Sequence, residues 1–156
     1  MQVEQQPITG KEDLETVSGL HRALAEFYAA FNSRDMRGMA ENWANTDEVV
    51  MDNPVGGVMR GWGAVRAVYE RIFGGEGTVT VEFYDYTLHE AGDVGYAVGR
   101  ERGELRLGQD VMKLAIRTTR VYRQIQGRWR QVHHHGSMDD PEMLARYQKA
   151  IAGPRA

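Results

Sequence analysis

Thr118-Thr-Arg-Val-Tyr-Arg-Gln-Ile-Gln-Gly-Arg-Trp-Arg-Gln-Val-His-His-His-Gly-Ser137 is the stretch on which the reading of this chain turns. Extended back to Gln109, it alternates. Met112, Leu114, Ile116, Thr118, Arg120 and Tyr122 fall on one face, and Lys113, Arg117, Thr119 and Arg123 on the other. That period of two marks a half-buried strand. Gln109–Gln124 and Arg128–His135 therefore predict a hairpin, and Arg120 shares its apolar face. A buried charge is expensive unless something anionic meets it, so the pattern predicts a pocket with Arg120 in its wall.

Working outward, more strands precede the hairpin with no helix between them. Thr78–Glu90 is rich in Val, Thr, Tyr and Phe; Ala91-Gly-Asp93 turns; Val94–Arg106 continues; Leu107-Gly108 turns again. The first half reads as helical. Val17, Leu20, Leu24, Phe27, Tyr28 and Phe31 recur at helical spacing within Glu12–Arg34, with Gly19 as a weak point. Asp35 resembles an N-cap for a short helix carrying Met36, Met39, Ala40 and Trp43. Val49–Asn53 reads as a short strand stopped by Pro54 and the loop Val55–Gly61, and Trp62–Phe73 returns to helical spacing. Asp140-Pro141 opens a last helix that runs to about Ile151. Helices first, then a meander, predict an α+β fold: a cone-shaped, curved antiparallel sheet wrapped by N-terminal helices, with an added C-terminal helix. Residues 1–10 are expected to be a loose leader, 11–137 the cone and 139–151 the tail helix, all within one domain spanning 1–156.

The chain has 156 residues, 42% of them apolar, which suits a single domain with one core. It has no cysteine, which excludes disulfides and thiolate chemistry. The polar start Met1–Pro7 lacks a signal layout, and no run approaches the roughly 20 apolar residues that cross a bilayer. A cytoplasmic protein without membrane contact is expected. The net charge is −3, so no strong global attraction to nucleic acid exists. Residues 100–130 nevertheless carry eight of the sixteen arginines and a local balance of +6. No aromatic stripe accompanies that charge, and nucleic-acid binding is not expected.

The order helix, helix, strand–Pro, helix, long meander resembles the nuclear-transport-factor-2-like superfamily, which includes ketosteroid isomerase and the SnoaL-like polyketide cyclases. The match covers about residues 15–137. Tyr28–Asp35 with Asp52–Gly56 is similar to the first half of the ketosteroid isomerases. Thr119–Tyr122 with Gly127–Trp129 and Val132–Ser137 looks more like the association domain of calcium/calmodulin-dependent kinase II and its small bacterial relatives. Isomerase chemistry carries over poorly. The family's proton-moving aspartate falls on Asn53, its oxyanion-donating tyrosine on Phe27, and its acidic partner near Thr119. The association-domain resemblance implies that Arg120 and Arg100 both point into the cavity, with Gly136 in place of a further arginine. Two guanidinium groups there imply either an anionic ligand or an internal acid.

Candidate catalytic residues are Arg120, to stabilise an enolate, and His133, His135 or Asp52, to move the proton. Candidate ligand contacts are Arg100, Tyr122, Phe27, Tyr28, Phe31, Met51, Asn53 and Trp62, while Trp43, Tyr69, Phe73 and Tyr96 read as core. His133 and His135 share a strand face and His134 takes the other; which face meets the pocket is left open by the sequence. No acid cluster accompanies the histidines, so neither metal nor cofactor is expected. The expected function is a homodimer that binds a mainly apolar, anionic or enolisable small molecule. It is either a cofactor-free isomerase, cyclase or dehydratase or a non-catalytic oligomerisation or ligand-sensing module. In the second case the face with Lys113, Arg117, Thr119 and Arg123 makes the intersubunit contact.

Overall fold

Strand β5 (Asp110–Ile125) is the spine of a computed structural model that describes residues 5–152. It lies between β4 (Val94–Leu107) and β6 (Arg128–Ser137), and β3 (Thr78–Ala91) completes one side. On the other side β1 (Val50–Asp52) pairs with β6, and β2 (Met59–Arg60) with β1, giving the order β2-β1-β6-β5-β4-β3. The β1–β6 pairing is parallel, so the sheet is mixed rather than wholly antiparallel. Pro54 follows the end of β1, and the chain turns back through Val55–Val58 into β2.

The sheet bends because its ladder is interrupted at chosen places. Asp85 adopts φ +48°, and the β3–β4 register shifts between Tyr84 and Thr87. At Gly103 a Cβ would stand 1.9 Å from the Thr80 carbonyl oxygen, so only glycine permits that close approach. The hollow receives helix α1 (Gly19–Asn32), which buries Leu20, Leu24, Phe27, Tyr28 and Phe31 on one face. It is shorter than the predicted Glu12–Arg34. Gly19 has φ +58°, which breaks the helical run, and the Leu20 N–H donates to the Glu90 carboxylate at 3.1 Å. Helix α2 (Met36–Asn42) starts on Asp35, whose side chain accepts from Gly38 N–H at 3.1 Å.

Helix α3 (Trp62–Gly74) closes one flank and helix α4 (Pro141–Ala152) lies across the open end. The leader is not loose where it is described. Ile8 is fully buried and pairs with Phe83 through backbone bonds of 2.8 and 2.9 Å. Residues 1–4 of the expected leader lie outside the described residues. No described helix is long and apolar enough to cross a membrane.

Candidate functional site

Arg120 enters the hollow as its strand face requires, since β5 residues 112, 114, 116, 118, 120 and 122 are all buried. Its guanidinium is 3% exposed and lies over the Phe27 ring, 3.7 Å from the centroid. Nη1 donates to Gln131 Oε1 at 2.8 Å, Nη2 to Glu101 Oε2 at 3.4 Å, and Nε to the Tyr28 hydroxyl at 3.4 Å. Thr118 Oγ1 donates to the other Glu101 oxygen. Burial works against the charge on Arg120, but Tyr28 and Glu101 favour it, and its pKa is raised.

Glu101 is thus the internal acid, and it displaces Arg100 from the expected role. Residues 97, 99, 101, 103 and 105 of β4 point inward, so Arg100 points out, half-exposed, where it pairs with Asp85 at 3.1 Å. The signal for Glu101 was present in Ala97, Gly99, Gly103 and Leu105 at the same phase. Val94, Tyr96 and Val98 masked it with an apolar row that lies on the outer face.

The histidines sort by a bulge. Tyr122 pairs with Gln131 and Val121 with His133, so Val132 is an extra residue in β6. That insertion puts Gln131 and His134 inward and turns His133 and His135 outward. Asp52 is on the same outer face: its Oδ2 accepts from His135 Nδ1 at 2.7 Å, and its Oδ1 is 3.8 Å from His133 Nε2. His133 Nδ1 is 2.8 Å from the Val50 carbonyl and donates to it, so Nε2 offers a proton to Asp52 only when the ring is protonated. Three candidate catalytic residues, His133, His135 and Asp52, are therefore outside the hollow. Among the described residues no group of three or more His, Asp or Glu side chains is arranged to hold a metal.

Inward-facing His134 was not among the candidates. Its Nδ1 is 3.2 Å from the Thr119 carbonyl, and burial, reinforced by Arg120, lowers its pKa well below the usual imidazole value. With Arg120, Glu101, Asn53, Phe27, Phe31 and Tyr69 it lines a cavity of about 30 Å³. Tyr69 read as core, yet its hydroxyl is buried with no hydrogen-bond partner among the described residues, as is the Trp43 indole N–H. Tyr147 of α4 closes the cavity. Met51 and Tyr122 are fully buried behind it, Tyr122 donating to Asn42 Oδ1 at 2.9 Å, and Trp62 lies half-buried against Trp43. No extra space opens at Gly136, where a Cβ would meet Pro54 at 3.0 Å and the His134 ring at 3.2 Å.

Helices seated in the hollow of a bent sheet around a buried polar group make the nuclear-transport-factor-2-like fold. The chain belongs to the SnoaL-like domain family, whose model matches residues 20–141. A nuclear-transport-factor-2-like protein of unknown function from Pseudomonas putida KT2440 is 27% identical, covers 88% of this chain and 94% of its own, and superposes with a TM-score of 0.69. A protein from Thiobacillus denitrificans ATCC 25259, whose name proposes a calcium/calmodulin-dependent protein kinase type II association domain, is 29% identical over 76% of this chain and 93% of its own, with a TM-score of 0.65. A family member from Streptomyces avermitilis, named as a proposed dehydratase, shares the fold at 21% identity, with 74% and 89% coverage and a TM-score of 0.67. No curated protein matches the chain.

Proposed function

We propose that this protein is a cytoplasmic homodimer whose cone binds a mainly apolar, enolisable small molecule and rearranges it by cofactor-free acid–base chemistry. The observation that carries the proposal is the buried Arg120–Glu101 pair beside the orphaned Tyr69 hydroxyl. With Arg100 outside, Arg120 has one carboxylate as its counter-charge, so the pocket has little need of an anionic ligand. A polarised carbonyl is the better fit: Arg120 and Tyr69 donate to its oxygen, and Glu101 removes an α-proton. Returning that proton to another carbon leaves the atom count unchanged and completes an isomerisation. Thermal-shift screening tests the choice. Cyclic ketones and β-diketones are expected to raise the melting temperature of the parent protein and not of Arg120→Met; stabilisation by simple carboxylates alone would overturn it.

A second reading, assembly without catalysis, is favoured by one observation. Val94, Tyr96 and Val98 form a row on the outer face of β4, exposed by 38, 41 and 45%. The name of the Thiobacillus relative agrees with an assembly role. Val98→Glu is then expected to convert a dimer to a monomer in light scattering, and an unchanged mass would remove this face from consideration.

A further inference from the structure

The cavity beside Arg120 has a volume of about 30 Å³, room for a water or two, whereas a dry site for a benzene needs about 150 Å³. Tyr147 is one of the side chains that close the cavity. It is 4% exposed on a helix whose other buried side chain is Ile151, with Met143, Leu144 and Ala150 partly buried against the core, while Pro141, Glu142, Ala145, Arg146, Gln148, Lys149 and Ala152 face water. Tyr147 lines the same cavity as Glu101 and Tyr69, whose charges add to burial in raising the pKa of its hydroxyl. A phenylalanine would plug the hollow as well without a hydroxyl to desolvate. A tyrosine therefore puts into the cavity the chemistry of a hydroxylated ring.

Apart from its apolar contacts with the core, α4 is fastened by few polar ties. Asp140 caps it, accepting from the N–H of Glu142 at 2.9 Å and of Met143 at 3.3 Å, so the helix holds its own first turn. Its polar ties to the cone are Gln148 Nε2 donating to the Pro54 carbonyl at 3.1 Å and, just before it, an exposed Asp139–Arg117 pair at 2.9 Å. Neither tie is a strong anchor, the second being solvated. Met138, Asp139 and Asp140 separate β6 from α4, the two aspartates being exposed.

We infer that Tyr147 is the pocket's own occupant and that the ligand is a hydroxylated aromatic or planar enolic ring that displaces it when α4 swings away. The inference rests on the pocket reading above and gives it a ligand class and a built-in competitor. A ligand must outcompete a tethered phenol, so the closed form discriminates against rings that cannot hydrogen-bond to Glu101, Arg120 or Tyr69.

The probe is p-cresol, the Tyr147 side chain as a free molecule. Tyr147→Ala is expected to bind it at least tenfold more tightly than the parent in calorimetry, and excess p-cresol is expected to speed hydrogen exchange of the parent's α4 amides at least tenfold. Binding to the parent with α4 exchange unchanged or slowed overturns the displacement and leaves the pocket reading standing. No binding to either protein overturns the ligand class, and the ketone screen above then decides the pocket reading separately. The chain has no cysteine, so Tyr147→Cys supplies an independent readout. Its thiol is expected to react with a disulfide reagent at least tenfold faster than that of Ala97→Cys, a buried sheet position. Equal rates overturn the opening of α4.

Discussion

Arg120 Nη2 stands 3.4 Å from Glu101 Oε2 between adjacent strands, with the two side chains 3 and 6% exposed. At that burial the charges depend on each other, because neither has water to turn to.

Removing both partners is therefore expected to cost less than the two single removals added together. Arg120→Met or Glu101→Leu alone is expected to cost about 3–5 kcal/mol in urea unfolding, as an uncompensated buried charge does. The double variant is expected to cost less than the sum by at least about 1 kcal/mol, whereas costs additive within about 0.5 kcal/mol would mean that the pair does not interact.

His134 gives the fold an acid-sensitive point. Its folded form favours the neutral ring, while in the unfolded chain the imidazole takes up a proton near pH 6.5. Below that pH the unfolded state binds more protons, so stability falls as pH falls toward the lowered folded value, and is fully present above about 6.5. His134→Gln is expected to flatten this limb of a stability-against-pH curve; an unchanged limb would assign the acid sensitivity to other groups.

Much of this was legible in the sequence, and the exceptions have physical causes. The β5 alternation put Arg120 inward because a period of two admits no other face once Met112, Leu114 and Ile116 are buried. The histidines were not legible, because one inserted residue, Val132, reverses the faces of everything after it in β6. Arg100 was misplaced because the association-domain resemblance carried it inward, whereas Ala97, Gly99, Glu101, Gly103 and Leu105 hold the inner positions of β4. Helix α1 starts late because Gly19 takes a left-handed conformation in a run whose spacing alone looks continuous.

Gly103 lets β4 pass close against β3. Gly103→Ala puts a Cβ 1.9 Å from a backbone oxygen, which no side-chain rotation relieves. The expected loss is about 3 kcal/mol or more, read as a lower melting temperature, since overpacking against backbone cannot relax locally. A variant as stable as the parent would show that the strands separate there without consequence.

Asp52 and the outward histidines should matter little to the pocket. Asp52→Asn is expected to shift stability by less than about 1 kcal/mol, the usual scale for a partly exposed pair, and to leave p-cresol binding by Tyr147→Ala unchanged. A tenfold loss of binding would move the chemistry to the outer face.

The central claim is that the buried Arg120–Glu101 pair holds a small molecule in the site that Tyr147 otherwise closes. Native mass spectrometry of freshly purified protein, followed by release and identification of whatever it carries, tests this most directly. The account predicts a planar hydroxylated or enolisable compound, retained by Asp52→Asn and absent from Arg120→Met. Retention of the same compound by Arg120→Met would contradict it.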